Sequence, residues 1–501
     1  MMCADSAAWE ACGSDDKSAF LQQAISLVFL NASEEVTVQE PASAENTMWS
    51  LLLLLFMAVV TFSLLLIATV MAWKGTHQDR AVASEAVGLG GLSPSSFTLG
   101  VIGTCLEFYD FGLFGFFAAG LGETFFPGDS KFVKVSLAFA TYGGAFLMRP
   151  VGGIISGYIG DSYGRVTALR FCLLGMICST TAIGLVSPTS EIGIVAPMLI
   201  LLARLIQGIS VGGQLPSAII YTLEHAQPDS RCLVCAILNG SANTGMFLSS
   251  LVCAASHSIG TDTAWRWRCP FISATFVGVL GYWVSWKAEE SDEYVTACSS
   301  PRTEQQHPLS SVFEIAKIGI LTQVWTVTFY TIFTWLPTYE QHLRSPPAVP
   351  YAFSLNTAAL GVLVILLLFW AWIADSTQIE FLLFSSSSLL CLLASTFFSF
   401  FGHTRPEVVF AAYLLFTIPL SAFGAVFNVW AYNRLPDVRT RCTIIGIAYG
   451  VFGALLAGPA PYVATQLVRT SWGISAPGHC ISGLCLLGSA VISLTWWKKE
   501  S

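Results

Sequence analysis

The sequence predicts an all-α membrane protein, and two observations support this class. Of the 501 residues, 54% are hydrophobic and only 11% are charged, whereas soluble domains are about one quarter charged. Most apolar runs continue for about 20 residues, which is the length of a membrane-spanning helix, and they lack the short alternating pattern of barrel strands. We therefore expect a bundle of helices embedded in a bilayer.

The apolar runs divide the chain into five regions. Residues 1–48 form a polar, acidic extension, and residues 49–73 form an uninterrupted apolar span with a tryptophan at each end. Twelve further spans follow as two sets of six, within residues 97–287 and 311–497. The acidic, proline-containing stretch 288–310 reads as an exposed linker between them. The predicted architecture is two six-helix halves plus one extra N-terminal helix.

Basic residues and local signals predict the topology. Arginines and lysines are more frequent in the loops on the linker side, which places the linker and the C-terminus in the cytosol. If 49–73 spans, the acidic extension faces outside or into a lumen, and Asn31 becomes an accessible glycosylation site. Lys498 and Lys499 near the C-terminus fit interfacial anchors, or else an endoplasmic-reticulum retrieval signal. We favour the plasma membrane, with an endomembrane as the alternative.

Two carboxylates interrupt the first of the twelve spans. Glu107 and Asp110 lie three residues apart in VIGTCLEFYDFGLFGFF, so they share one helix face. An ionised side chain in the membrane interior costs about 2.5 kcal/mol or more unless it is paired or hydrated. We predict that these acids carry the coupling proton, with Asp110 preferred; the alternative is that one of them caps a polar seam between helices.

Further polar side chains in the apolar spans are candidates for the lining of a central site. Arg204 is predicted either to bind an anionic substrate or to act as the internal counter-ion of the acids. The other candidate substrate contacts are Tyr109, Gln207, Gln214, Asn239, Asn243, Gln323, Tyr330 and Asn428. Tyr142 and Tyr449 share these surroundings, and Trp325 and Trp335 offer faces for a quaternary ammonium group. Each polar side chain alone is more often a hydrogen-bond partner between helices than a ligand contact, and tryptophan is also common at membrane interfaces.

Charged turns recur at corresponding positions of the two halves. RPVGGIISGYIGDSYGR, residues 149–165, combines closely spaced glycines with opposite charges, and IADSTQ, residues 373–378, is a fainter echo of it in the second half. The turn after the fourth span, YTLEHAQPDSR at residues 221–231, is matched in the second half by LPDVRTR at residues 435–441. Opposite charges at such turns can lock two helices in one state and release them in another. The predicted gating residues are Arg149, Asp161, Arg165, Glu224, Arg231, Asp437 and Arg439. A static clamp is the alternative.

Composition also bears on partners and cofactors. The 14 cysteines are scattered, and Cys232-x-x-Cys235 has no second ligand pair, so we expect no metal site and no cofactor. Apart from the acidic extension the chain is close to neutral, which indicates no nucleic-acid partner. The expected partners are a small organic substrate, protons and the lipid bilayer, with the monomer as the working unit. No serine-histidine-aspartate set, HExxH or P-loop at usable spacing indicates an enzyme.

Four segments carry a family resemblance: LEFYDFGLFG, RPVGGIISGYIGDSYGR, RLIQGISVGG and YTLE followed by Arg231. In this order and spacing the chain resembles the metabolite:proton symporter family of the major facilitator superfamily, which includes bacterial permeases for proline and betaine, shikimate, citrate and α-ketoglutarate. The resemblance covers about residues 97–497 and is stronger in the first half. It implies a twelve-helix fold, alternating access, proton or cation symport, and organic acids or zwitterions as cargo.

The chain departs from the family pattern in three places. Gln214 stands where the family usually has a glutamate, which removes one protonation site. The second-half glycine loop keeps Asp375 but lacks the arginine and the glycines. The extra span and the acidic extension have no bacterial counterpart.

A proton-coupled secondary transporter of a small organic acid or zwitterion is the leading hypothesis. A facilitator of sugars or other uncharged solutes, or a non-transporting sensor built on a transporter fold, are the alternatives.

Overall fold

The computed structural model describes residues 94–127, 131–258, 263–299, 308–340, 349, 351–374 and 377–500. The regular structure within these ranges is helical. Helices suit a bilayer because each satisfies its own backbone hydrogen bonds where water is absent. The predicted extension 1–48 with its sequon at Asn31, the extra span 49–73 and Asp375 lie outside the described residues.

Each of the twelve spans predicted between residues 97 and 497 corresponds to one long helical segment of the described chain. In chain order the segments are α1 Pro94–Phe116, α2 Lys131–Tyr163, α3 Arg165–Leu185, α4 Val195–His225, α5 Arg231–Ser258, α6 Thr263–Ser285, α7 Pro308–Phe329, α8 Ala352–Ala374, α9 Ile379–Phe397, α10 Pro406–Asn433, α11 Arg441–Phe452 and α12 Ser475–Glu500. Ten described segments are long and apolar enough to cross a membrane. The other two are α2, which contains Arg149, and α6, which contains Arg268.

Two of the helices continue through widened π-helical turns. α7 passes through a π turn at Tyr330–Trp335, and α11 passes through another at Gly453–Ala457 before the helix Ala460–Leu467. The two segments pack against each other. π turns are rare and are frequently found at functional sites, so these two turns single out α7 and α11 among the helices of the second half.

Glycines bring the two halves into close contact. Gly153 of α2 and Gly446 of α11 lie backbone to backbone, and a Cβ atom at either residue would overlap the other's carbonyl group. Within the first half, Gly208 and Gly212 of α4 face the α2 backbone in the same way. Only residues without a side chain permit such an approach between helices. The largest apolar core continues across this contact from one half into the other.

A short helix, Asp292–Ser299, lies in the predicted linker and packs against α4. We call it the linker helix, and we call the end of the bundle that it covers the linker end. The opposite end is the distal end. These two names describe position in the bundle and carry no statement about the side of the membrane.

Candidate functional site

The two carboxylates of α1 are both buried in the first half, each with 2% of the residue exposed. Neither carboxylate oxygen of Asp110 has a hydrogen-bond partner among the described residues. Arg204 of α4 lies close enough to act on Asp110 electrostatically, and the Thr180 hydroxyl of α3 lies near the same carboxylate. For Glu107 the neighbouring cation is Arg149 of α2. The two acids on one helix face therefore belong to two different clusters.

Arg204 lies wholly inside the first half. Its guanidinium carbon is 3.6 Å from the centre of the Phe114 ring, and Nη1 donates a hydrogen bond to Oε1 of Gln207. Gln207 in turn faces Thr180, with 3.5 Å between Nε2 and Oγ1. The Nε and Nη2 atoms of Arg204 have no partner among the described residues. This arrangement favours Arg204 as the internal counter-ion of Asp110.

Arg149 occupies a different position, on the face of α2 that meets the second half. Its guanidinium carbon lies 4.1 Å from the Phe146 ring centre and 5.2 Å from that of Phe111. Phe146 contacts the ring of Tyr330 on α7, at 5.8 Å between centres. The side chain of Arg149 is half-buried, and its Nε finds no hydrogen-bond partner in the described chain. A cation with an uncommitted donor thus lies among aromatic rings between the halves.

Aromatic side chains surround Arg149 from both halves. Tyr142 packs on Phe111 at 4.4 Å between ring centres and on Phe146 at 5.9 Å. Tyr330 is near enough to Tyr142 for the two phenols to interact electrostatically. We call Phe111, Tyr142, Phe146, Arg149 and Tyr330 the central cluster. It offers one cation for an anionic group and ring faces for a cationic one.

Three predicted contact residues form a hydrogen-bonded bridge between the halves. Asn239 of α5 donates to the carbonyl oxygen of Gly424 on α10 at 2.9 Å, and Asn428 Nδ2 donates to Asn239 Oδ1 at 3.2 Å. The hydroxyl of Tyr449 on α11 donates to Asn428 Oδ1. Because these polar atoms are already paired, the bridge is better suited to holding the halves together than to contacting a substrate in this state.

The remaining predicted contacts are dispersed. Tyr109 lies next to Ser273 of α6, inside the first half. Asn243 donates to the Asn239 carbonyl oxygen of its own helix, and Gln323 accepts from Thr326 one turn away. Trp335 donates to Thr465 Oγ1 at 2.9 Å. Trp325 packs against Gly424 of α10. The structure does not bring these side chains into the central cluster.

A charged cluster connects the two halves at the linker end. Arg165 is fully buried and donates to Glu224 of α4 at 2.9 Å and to Asp161 Oδ1 at 3.1 Å. Asp161 in turn accepts hydrogen bonds from the backbone nitrogens of Cys442 and Thr443, at 3.1 and 2.8 Å. Because these nitrogens belong to the first turn of α11, the carboxylate of the first half caps a helix of the second. We call Asp161, Arg165 and Glu224 the clasp.

The linker adds a second layer to the clasp. Glu290 accepts from the backbone nitrogens of Arg165 and Val166, at 2.8 and 2.9 Å, at the point where Gly164 has a φ of +109°. Glu293 accepts from Arg441 Nη1 at 2.8 Å and from the hydroxyl of Tyr432 at 2.7 Å. Burial raises the pKa of Glu290. The pKa of Glu293 is lowered, because these two hydrogen bonds and the positive charge of Arg441 outweigh its burial.

The other predicted gating residues differ in how they relate to the clasp. Arg231 leans over the Tyr432 ring at 4.9 Å, and Arg439 donates to the Ala297 carbonyl oxygen of the linker helix. Asp437 accepts from the Arg439 backbone nitrogen within its own turn. Arg149 belongs to the central cluster instead, since it lies in the middle of α2 and well away from Asp161.

The sequence interpretation did not select the residues of the linker and of α11 that surround the clasp. Glu290, Glu293, Tyr294 and Arg441 all contribute, and Tyr294 places its ring 4.4 Å from the Arg165 guanidinium carbon. The sequence does contain an indication of these contacts: residues 289–293 are mostly acidic, and residues 439–441 contain two arginines of opposite charge.

Two helical halves meet at the central cluster and are tied together by charged residues at the linker end, an arrangement expected of a membrane carrier. The sequence matches the Major Facilitator Superfamily profile over residues 100–461. The chain belongs to this superfamily. It is a multi-pass integral membrane transporter and not an enzyme.

Bacterial transporters share moderate sequence identity with the chain. The glycine betaine/proline/ectoine/pipecolic acid transporter of Dickeya dadantii is 28% identical over 411 residues, which covers 78% of this chain and 81% of that protein. The proline/betaine transporter of Salmonella typhimurium is 28% identical over 412 residues, with coverages of 78% and 81%. The resemblance to the metabolite:proton symporters is thereby confirmed.

Solved structures confirm the twelve-helix fold. A proton:xylose symporter bound to 6-bromo-6-deoxy-D-glucose superposes with a TM-score of 0.64 at 15% identity, covering 81% of this chain and 95% of that one. The human organic anion transporter gives a TM-score of 0.57 at 16% identity, with coverages of 80% and 100%. At these identities the likeness concerns the fold alone.

Proposed function

We propose that this chain is a proton-coupled symporter of a small zwitterion that carries a carboxylate and a quaternary or secondary ammonium group. The observation that carries the proposal is Arg149, a cation with an uncommitted donor among aromatic rings where the two halves meet. The names of the bacterial relatives, which include proline and betaine, agree with such a cargo. We further propose the plasma membrane as its location and the monomer as its working unit.

Each end of a zwitterion has a counterpart in the central cluster. The carboxylate accepts hydrogen bonds from the guanidinium of Arg149, which can form two parallel bonds to it. The ammonium group packs on the faces of Tyr142 and Tyr330, where the ring quadrupole attracts a cation. Because the two tyrosines belong to different halves, one bound molecule touches both halves at once. We therefore assign the anion site to Arg149 in place of Arg204.

The proton is carried by Asp110. Asp110 and Arg204 together form a nearly neutral buried pair inside the first half, and protonation of the carboxylate leaves Arg204 without its counter-charge. Protonation of Asp110 therefore leaves a net positive charge inside the first half, next to α2 and α4. Both of these helices pack against α11. Proton binding and the approach of the halves are thereby linked through one helix interface.

Alternating access requires the linker end and the distal end to open in turn. The clasp and the Asn239 bridge connect the two halves, and in the proposed cycle they hold the linker end closed in one of the two states. We place the linker end in the cytosol, as the positive-inside bias predicts. Opening of the linker end then requires the hydrogen bonds between Asp161 and the first turn of α11 to break.

Uptake by the purified full chain in proteoliposomes tests this function. The panel is glycine betaine, proline, choline and xylose, each with and without an imposed proton gradient. We expect uphill uptake of betaine or proline, abolished by a protonophore, and none of choline, which lacks the carboxylate. Arg149→Ala should abolish it, whereas Arg405→Ala, a basic residue at the start of α10, should not.

Two outcomes would contradict the proposal. Uptake of xylose but not of the zwitterions would favour the sugar facilitator. Saturable binding of betaine without uptake of any member of the panel would favour a non-transporting sensor.

A further inference from the structure

A second group of buried polar side chains lies in the first half, apart from Asp110 and Arg204. It contains four oxygen atoms without a hydrogen-bond partner among the described residues: Thr104 Oγ1, Glu107 Oε2, Ser156 Oγ and Gln214 Oε1. These residues come from α1, α2 and α4, and none is more than 2% exposed. We call them the oxygen cluster.

Contacts with the neighbouring helices indicate that these side chains lie near one another. The side-chain amide of Gln214, whose nitrogen and oxygen both lack a partner among the described residues, lies against α1 at Gly103, with Nε2 nearest to the position that a Cβ atom would take and Cδ 3.6 Å from it. Glu107 follows Gly103 by one helical turn, and Thr104 precedes Glu107 by three residues, so all three share one face of α1.

Ser156 closes the cluster from the side of α2. Its hydroxyl occupies the space beside Gly213, the residue before Gln214, and the Cys172 sulfur lies 3.0 Å from the Cβ position of that glycine. Cys172 is also within electrostatic range of Glu107, and its thiol lies beside the Ser156 hydroxyl. The contacts at Gly103 and those around Cys172 thus bring Glu107, Ser156 and Gln214 into one neighbourhood of the first half.

The chemistry of the four oxygens selects the ligand. Buried polar atoms without partners destabilise a fold, and a leucine would fill the place of Gln214 without that cost. Carboxylate, hydroxyl and amide oxygens are the donors that hard cations prefer. A single carboxylate balances a single positive charge. Within the described ranges, no three His, Cys, Asp or Glu side chains gather to suit a more highly charged metal.

We propose that Glu107, Ser156 and Gln214, together with Thr104, form a binding site for Na⁺. The sequence had indicated no metal site, because Cys and His spacing does not report a cage of hydroxyl and amide oxygens. The neighbouring cation Arg149 leaves the carboxylate available, since its guanidinium lies over the Phe146 and Phe111 rings.

The site also deepens the proposed function, on which the following step rests. A substrate carboxylate bound to Arg149 compensates the positive charge that opposes Na⁺ at Glu107. Substrate and Na⁺ therefore strengthen each other's binding, and by linkage the factor is the same in both directions.

Binding of ²²Na⁺ to the full chain in lipid nanodiscs, without substrate or gradient, tests the site. We expect saturable binding, and a higher midpoint of thermal unfolding in NaCl than in N-methyl-D-glucamine chloride of equal ionic strength. Glu107→Gln, Ser156→Ala and Gln214→Leu should each weaken Na⁺ binding by about tenfold or more. The matched control is Ser179→Ala, a buried hydroxyl that bonds the Met176 carbonyl of its own helix; it should bind Na⁺ like the wild type.

The result that overturns the site is the absence of saturable, Na⁺-specific binding in the wild type. Binding that is retained unchanged in Ser156→Ala and Gln214→Leu would place the ion elsewhere and also reject it. Zwitterion uptake driven by a proton gradient in Na⁺-free buffer tests the proposed function separately. The two can therefore fail independently.

Discussion

Asp161→Asn tests whether the linker end is held closed by a charge. Asp161 belongs to the first half, and its carboxylate accepts hydrogen bonds from Cys442 and Thr443 of the second. Asparagine has nearly the same shape, but it carries no charge and has one acceptor oxygen instead of two. The substitution therefore removes one bond between the halves and weakens the other without creating a cavity.

The size of the effect follows from the lost interactions. A hydrogen bond to a charged acceptor contributes about 1.5–3 kcal/mol, and a carboxylate at a helix N-terminus adds about 0.3–1 kcal/mol. Part of the loss is recovered by the remaining amide oxygen, which leaves about 2 kcal/mol less stabilisation of the closed linker end. At about 1.4 kcal/mol per tenfold change, this shifts the ratio of open to closed molecules by roughly 30-fold.

Native cysteines report the shift. Cys235 and Cys442 are buried, whereas Cys298 on the linker helix is exposed. Labelling with N-ethylmaleimide, read by peptide mass spectrometry, should accelerate roughly 30-fold at Cys235 and Cys442 in Asp161→Asn, while Cys298 keeps its rate.

The matched control is Glu314→Gln. Glu314 pairs with Lys317 at 2.7 Å and with Arg434 at 3.5 Å, both within the second half and partly exposed. Such pairs contribute about 0–1 kcal/mol, and here they cross no boundary between halves. An unchanged Cys235 rate in a folded Asp161→Asn protein would refute the reasoning, because Cys235 on α5 lies away from the altered turn.

Four further predictions follow from the same structure and sequence. Asp110→Asn should abolish uphill, proton-driven uptake but spare exchange between equal substrate pools, since exchange needs no net proton movement; full pH-dependent accumulation would contradict the role of Asp110. Gly446→Val should keep the halves apart at the linker end, because the Gly153 backbone occupies the space of any side chain there; Cys235 labelling should rise, and an unchanged rate would count against this contact. The lowered pKa of Glu293 means that its contribution to stability is fully present above its ordinary pKa of 4.5 and is lost as the pH falls through the folded value; Glu293→Gln should flatten this acidic limb in thermal unfolding. In a eukaryotic host, the chain should give an endoglycosidase-sensitive band that disappears in Asn31→Gln, whereas protease protection showing a cytosolic N-terminus would reject the extra span.

The positions of the helices could be predicted because they depend on local composition. Within the described ranges, each of the twelve predicted spans corresponds to one helical segment, including the interrupted run around Arg149. The carboxylates of α1 were found for the same reason, since an acid in an apolar run is visible without any knowledge of its neighbours.

The roles of the two buried arginines could not be read in this way. Arg149 and Arg204 both lie in apolar runs, but one faces the second half and the other faces the interior of the first. The difference is the rotation of α2 and α4 about their axes, which is fixed where Gly208 and Gly212 meet the α2 backbone. The pairing of Glu293 with Arg441 was equally hidden, because 148 residues separate the partners.

The charged groups inside the first half differ from the neutral polar groups at the contact between the halves, and this difference argues for a division of labour. In the first half, Glu107, Asp110 and Arg204 keep unpaired polar atoms in the described structure. Across the contact, Asn428 and Tyr449 of the second half are committed to a bridge. Uncommitted charges can bind and release ions, whereas paired neutral groups can hold or release a helix. We therefore expect substitutions in the first half to alter ion dependence, and substitutions in the bridge, such as Asn428→Ala, to alter the labelling rate of Cys235 while Na⁺ binding stays unchanged. Loss of Na⁺ binding in a folded Asn428→Ala protein would show that the two roles are not separate.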